Sequence, residues 1–166
     1  IPPQKEKNIA VSSTKIRNLL LEGDIKTANQ FLEYKFMISG KVVDGNKLGR
    51  TIGYPTANIN YNYQIAPSNG IYACWVKIDR EDTWRMAAIS TGTRPHYRGE
   101  EKILEVHIMD FSGNLYEKRI RVAFVIKIRN EEIFKSEGEL IQRMKKDCEN
   151  AKKIFRKDFI KNDNEG

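Results

Sequence analysis

Between Phe36 and Ile128 the chain offers five strand-like stretches, joined without any intervening helical period. They are Phe36 to Val43, Gly70 to Ile78, Trp84 to Ser90, Ile103 to Asp110 and Arg119 to Ile128. In the last, Ile120, Val122 and Phe124 alternate with Arg119, Arg121 and Ala123, which suits a sheet with one wet face. Asp44-Gly45 reads as a turn, and Asp79 to Thr83 and Ser112-Gly113-Asn114 as hairpin-type connections. Strands joined so directly pair antiparallel, and such a set hides its edges best by closing into a barrel.

Helical patterns flank this β region. Near the start, the hydroxyls of Ser12-Ser13-Thr14 read as caps for a helix carrying Ile16, Leu19 and Leu20, and Gly23 reads as its stop. Asp24 caps a second helix with Ile25, Ala28, Phe31 and Leu32 on one face, and a boundary falls near Tyr34-Lys35. At the other end Ser136-Glu137-Gly138-Glu139 has capping-box spacing, and Leu140, Met144, Cys148, Ala151 and Phe155 recur as a helical stripe. The stripe is expected to lie on the barrel with the lysines facing water.

With 166 residues, 40% apolar and 31% charged, the chain suits one globular domain, and no apolar run approaches a membrane span of roughly 20 residues. Cys74 and Cys148, in no metal-type spacing, are expected as free thiols in a reducing cytoplasm. The first residues, Ile1-Pro2-Pro3, have neither an initiator Met nor a signal core and read as the cut start of a longer chain. The net charge of +7 is concentrated between Lys118 and Lys161, which holds fourteen Lys/Arg against seven Asp/Glu. A basic β-barrel binding nucleic acid is one reading of that excess, but the basic stretch lacks interleaved aromatics and any RNA-binding signature.

Chemistry concentrates in GKVVDGNKLGRTIGYPTAN, Gly40 to Asn58. Glycines allow backbone N–H groups to approach phosphates, and Lys41, Lys47 and Arg50 offset their charge, though the order is neither a P-loop nor a dinucleotide fingerprint. In PTAN, Thr56 and Asn58 share a face if the segment is extended and offer hard oxygens suited to Mg²⁺; a turn bonded to its own backbone is the plainer alternative. Glu105, in the mostly apolar strand Ile103 to Asp110, wants a partner or a job and, if a hydroxyl nucleophile lies near, could act as its general base, with His107 on the same strand face as its rival. Only His96 and His107 are present, which argues against a histidine-built metal site.

The order of these motifs, followed by NGIYA at Asn69 to Ala73, GTRP at Gly92 to Pro95 and LEVHIMDFSGNLY at Leu104 to Tyr116, resembles the riboflavin kinase module of bacterial bifunctional FAD synthetases. The likeness runs from Tyr34 to Phe155, including Ile128 to Phe134; His96 stands where that family leads one to expect Thr. The resemblance implies a six-stranded antiparallel Greek-key barrel with a long C-terminal helix. It implies transfer of the γ-phosphate of Mg²⁺-ATP to the 5′-hydroxyl of riboflavin, giving ADP and FMN. Glu105 matches the catalytic base, and Thr56 and Asn58 the positions that hold the metal and nucleotide. Gly45, Arg50, Asp110 and Tyr116 fall at nucleotide positions, and Arg129, Glu132 and Phe134 at the flavin border.

Residues 1–34 resemble the end of that family's FMN adenylyltransferase domain, so the kinase domain is expected over residues 35–166. Neither histidine lies in the HxGH-type element which that other activity needs, so FAD formation by this chain is not expected. The competing readings are a non-catalytic barrel binding nucleic acid and a flavin-binding barrel without turnover.

Overall fold

A computed structural model describes residues 3–43, 56–61, 65–96 and 99–158. Six strands, β1 (Met37–Val43), β2 (Ala57–Asn60), β3 (Gly70–Ile78), β4 (Trp84–His96), β5 (Gly99–Ile108) and β6 (Arg119–Arg129), close into a barrel in the order β1-β2-β5-β4-β3-β6. Every neighbouring pair is antiparallel. β3, β4 and β5 run as a meander and β6 returns beside β3, the Greek-key arrangement, so Ser112 to Asn114 joins two strands that do not pair and is not a hairpin turn.

Alternation sorts the two faces. Ile38, Val42, Ile59, Tyr72, Val76, Ile89, Leu104, Val106, Ile120, Val122 and Phe124 fill the interior. Tyr72 meets Phe124 edge-on at 5.4 Å between ring centres. The five expected strands form, and β2 adds a sixth that periodicity did not reveal. Only four residues long, β2 is held in place by β1 and β5 rather than by its own pattern. β4 and β5 also reach further than expected, as one long hairpin in which Gly92-Thr93-Arg94-Pro95 lies within a strand.

At the N-terminus the structure corrects the capping expectation. Helix α1 spans Pro3–Glu22, so Ser12, Ser13 and Thr14 lie in its interior. Pro3 sits in the first turn, where its missing N–H costs nothing, and no Gly or Pro follows before Gly23. Gly23 ends the helix at φ +82°; a Cβ there would lie 2.6 Å from Ser68 Oγ. Asp24 caps α2 (Ile25–Leu32) by accepting from the Thr27 N–H.

These helices are built into the barrel. Leu20, Ile25 and Ala28 are fully buried within its core. Asn29 donates from Nδ2 to the Phe124 carbonyl on β6 and accepts at Oδ1 from the Phe36 N–H, both at 2.8 Å.

Helix α3 (Glu137–Phe155) begins as expected, with the Ser136 hydroxyl accepting from the Glu139 N–H. The Glu139 carboxylate reaches back to the Lys135 N–H. Ala151 and Phe155 pack with Ala73, Trp75 and Met86 on the outer face of the sheet. The Trp75 ring packs tilted against Phe155, 4.6 Å between centres at 52°, and donates its N–H to Asp158. Cys74 and Cys148 are both free thiols.

Candidate functional site

The register lines up one row across the outer face: Asn58 on β2 opposite Glu105 on β5, Glu105 opposite Ser90 on β4, Ser90 opposite Ile71 on β3, and Ile71 opposite Arg129 on β6. Their chain neighbours Ile59, Leu104 and Ile89 point inward to the core. β6 carries two register shifts against β3, between Ile71/Tyr72 and Ala73/Cys74. The first along β6 turns Lys127 toward Tyr72 and Ser68; the second returns Arg129 to the outer face.

Over this row lies a cleft of about 510 Å³, walled on the far side by α3 and the segment leading into it. Thr56, Ser90, Glu105 and His107 line the sheet side; Leu140, Met144, Asp147 and Cys148 line the helix side. Ile71, Ala88 and Phe134 make much of the remaining surface apolar. The shape and lining suit one small, largely uncharged ligand with a few fixed polar contacts.

Polar groups at the edges are set differently from one another. The Thr56 hydroxyl is buried and meets no hydrogen-bond partner among the described residues. A buried hydroxyl left so is costly unless a ligand satisfies it. Asn58, two residues on, is 3% exposed and lies directly across the ladder from Glu105. No group of three or more His, Cys, Asp or Glu able to hold a metal occurs among the described residues. Neutral oxygens from Thr56 and Asn58 fit instead a hard divalent cation that keeps phosphate and water ligands.

Of the expected site residues, the structure gathers Thr56, Glu105, Arg129, Glu132 and Phe134 around the cleft, with Asn58 beside Glu105. Asn58, Asp110 and Tyr116 are not among its lining residues. Asp110 is exposed in a turn at φ +53°, its carboxylate 3.9 Å from Lys152 Nζ. Tyr116 is also exposed and donates its N–H to Asn114 Oδ1. Gly45 and Arg50 lie outside the described residues.

Sequence reasoning missed Asp147, buried at 4% exposure within the apolar stripe of α3. A carboxylate on the buried face of a helix was the signal that it has a partner. That partner is Arg129, whose Nε and Nη2 donate to its two oxygens at 2.9 and 2.8 Å. Beside it, burial and the Asp147 charge push the Cys148 thiol up to about 11, so the cleft presents a protonated, weakly nucleophilic sulfur at neutral pH.

A closed barrel whose apolar cleft is lined by a carboxylate and by a buried hydroxyl with no partner among the described residues is a small-molecule-binding barrel. The chain belongs to the riboflavin kinase family: residues 32–155 match the family model for flavokinase, riboflavin kinase. It is 43% identical over 145 residues to the bifunctional riboflavin kinase/FMN adenylyltransferase of Haemophilus influenzae, covering 87% of this chain and 47% of that protein. To the protein of the same name from Escherichia coli K12 it is 38% identical, covering 90% and 48%. The chain therefore spans about half the length of these curated relatives.

Among solved structures, one named as a macrolide-efflux protein from Streptococcus pneumoniae superposes with a TM-score of 0.78 at 36% identity, over 84% of this chain and 46% of that one. No helix among the described residues is long and apolar enough to cross a membrane. A riboflavin kinase from Trypanosoma brucei shares the fold, with a TM-score of 0.57 at 22% identity over 73% of this chain and 80% of that one.

Proposed function

We propose that this domain transfers the γ-phosphate of ATP to the ribityl 5′-hydroxyl of riboflavin, yielding FMN and ADP. The observation that carries the reading is the pairing of Asn58 with Glu105 at the edge of an apolar cleft, with the Thr56 hydroxyl lining the same cleft. The neutral, planar flavin ring suits the apolar lining, and its sugar alcohol chain would extend toward Glu105. The Glu105 carboxylate takes the proton of the 5′-hydroxyl as that oxygen attacks the γ-phosphorus; the bond to the β,γ-bridging oxygen breaks and ADP leaves. Proton transfer of this kind contributes roughly 10²–10⁴-fold.

The phosphates would lie on the Thr56 and Asn58 side, next in sequence to the glycine-rich segment with Lys47 and Arg50. Thr56 Oγ1 and the Asn58 side-chain oxygen would hold a divalent cation, Mg²⁺ in this reading, which when bound neutralises phosphate charge. Gly45, Arg50, Asp110 and Tyr116 are assigned to the nucleotide and Glu132 and Phe134 to the flavin. The parent protein is proposed to be a cytoplasmic bifunctional enzyme, with residues 1–34 closing its adenylyltransferase half and residues 35–166 forming the kinase.

The test is direct: incubate the chain with riboflavin, ATP and MgCl₂, then separate flavins by chromatography. FMN that appears with the metal and disappears with EDTA supports the reading. Riboflavin bound without FMN formation, or no flavin binding at all, would overturn it.

A further inference from the structure

The family likeness puts Arg129 at the flavin border, yet its side chain is already committed. Nε and Nη2 hold Asp147 in a bidentate pair, Nη1 donates to the Asn130 carbonyl at 3.0 Å, and the guanidinium lies 5.7 Å from the Phe134 ring centre. The pair is secluded, with side-chain exposures of 11% and 6%. One helical turn earlier on α3, Arg143 holds Glu132 at 2.8 Å. The chain from Arg129 to Phe134 is thus fastened to α3 at two successive turns, directly over the row that contains Glu105.

Fold stability alone is a poor explanation for such a pair. Burying two charges costs about as much as their attraction returns, and an apolar pair of the same size would dock the helix equally well. What a fork-to-carboxylate pair adds is a fixed distance and angle. Resting on the kinase reading above, we propose that Asp147 is a positioning residue for the flavin. It locks Arg129, and through Arg129 the Phe134 ring and residues 131–134, so that this wall stands at ring width from the sheet face. Asp147 touches neither phosphate nor the reacting oxygen. Its loss should therefore be felt in flavin binding and little in chemistry.

The experiment compares the full chain with Asp147→Asn, which keeps the shape but loses the charge and one accepting oxygen. KM for riboflavin should rise at least about tenfold, KM for ATP should stay within about twofold, and kcat should fall less than about threefold. Arg129→Lys, which keeps the charge without the fork, should give the same split to a smaller extent and serves alone if Asp147→Asn does not fold. Quenching of riboflavin fluorescence, titrated without ATP, should weaken in parallel. Unchanged riboflavin affinity in a folded variant would overturn the proposal, as would equal losses for both substrates. Should the unaltered chain bind riboflavin but make no FMN, the kinase reading fails separately, and the titration alone still decides the role of Asp147.

Discussion

Asn58 and Glu105 are direct register partners on adjacent antiparallel strands, so an amide and a carboxylate from residues 47 positions apart share one face of the barrel wall. Thr56 reaches the same cleft from just before β2. Strands are stiffer than loops, and a site mounted on them holds its geometry before any ligand arrives. The consequences can be measured residue by residue.

Thr56 is the clearest case in which stability and function should part. Its hydroxyl is buried without a partner among the described residues. In Thr56→Val a methyl replaces the hydroxyl at nearly constant shape, so the urea midpoint should hold or rise slightly. Meanwhile kcat/KM for ATP should fall at least about tenfold. A less stable variant with unaltered kinetics would show the hydroxyl to be structural.

Asn29 should behave in the opposite way. It ties α2 to Phe124 and Phe36 through two hydrogen bonds of 2.8 Å. Asn29→Ala strands a carbonyl and an N–H in a partly buried place and should cost about 2–3 kcal/mol in urea unfolding. Both KM values should remain within about twofold below the unfolding transition. A variant as stable as the parent would mean that α2 contributes little to the barrel.

Alkaline pH should loosen the fold. Burial raises the Cys148 thiol from 9.0 to about 11 and the Tyr61 phenol from 10.0 to about 12, and it lifts Cys74 as well. Below about pH 8 folded and unfolded chains both keep these protons, and stability is level. Between the ordinary and raised values only the folded chain keeps them, so rising pH favours unfolding. The urea midpoint should therefore drop between pH 8 and pH 10.5, and more shallowly in Cys148→Ala. Identical slopes for the two proteins would assign the loss to other groups.

Where the physics is local, the sequence was informative. The alternation in β6, the Asp24 and Ser136 caps and the α3 stripe all depend on neighbours a few residues away. The resemblance of motif order then supplied the six-stranded barrel and the family. What stayed hidden depends on partners distant in the chain. β2 is too short to show a period and exists through its ladders with β1 and β5. The register shifts on β6 appear only against β3. Asp147 looks like a flaw in an apolar stripe until Arg129 is seen beside it. α1 extends through Ser12 to Thr14 because no Gly or Pro lies between Pro3 and Gly23 to interrupt it.

Glu105 is the residue on which the proposed reaction turns. Glu105→Gln preserves the size of the side chain and removes its capacity to take a proton. The variant should fold like the parent by circular dichroism and bind riboflavin normally, while FMN turnover with saturating Mg²⁺ and ATP falls at least about 10²-fold. Turnover equal to that of the parent would show that another group receives the proton, and that the pairing of Glu105 with Asn58 is not where the reaction occurs.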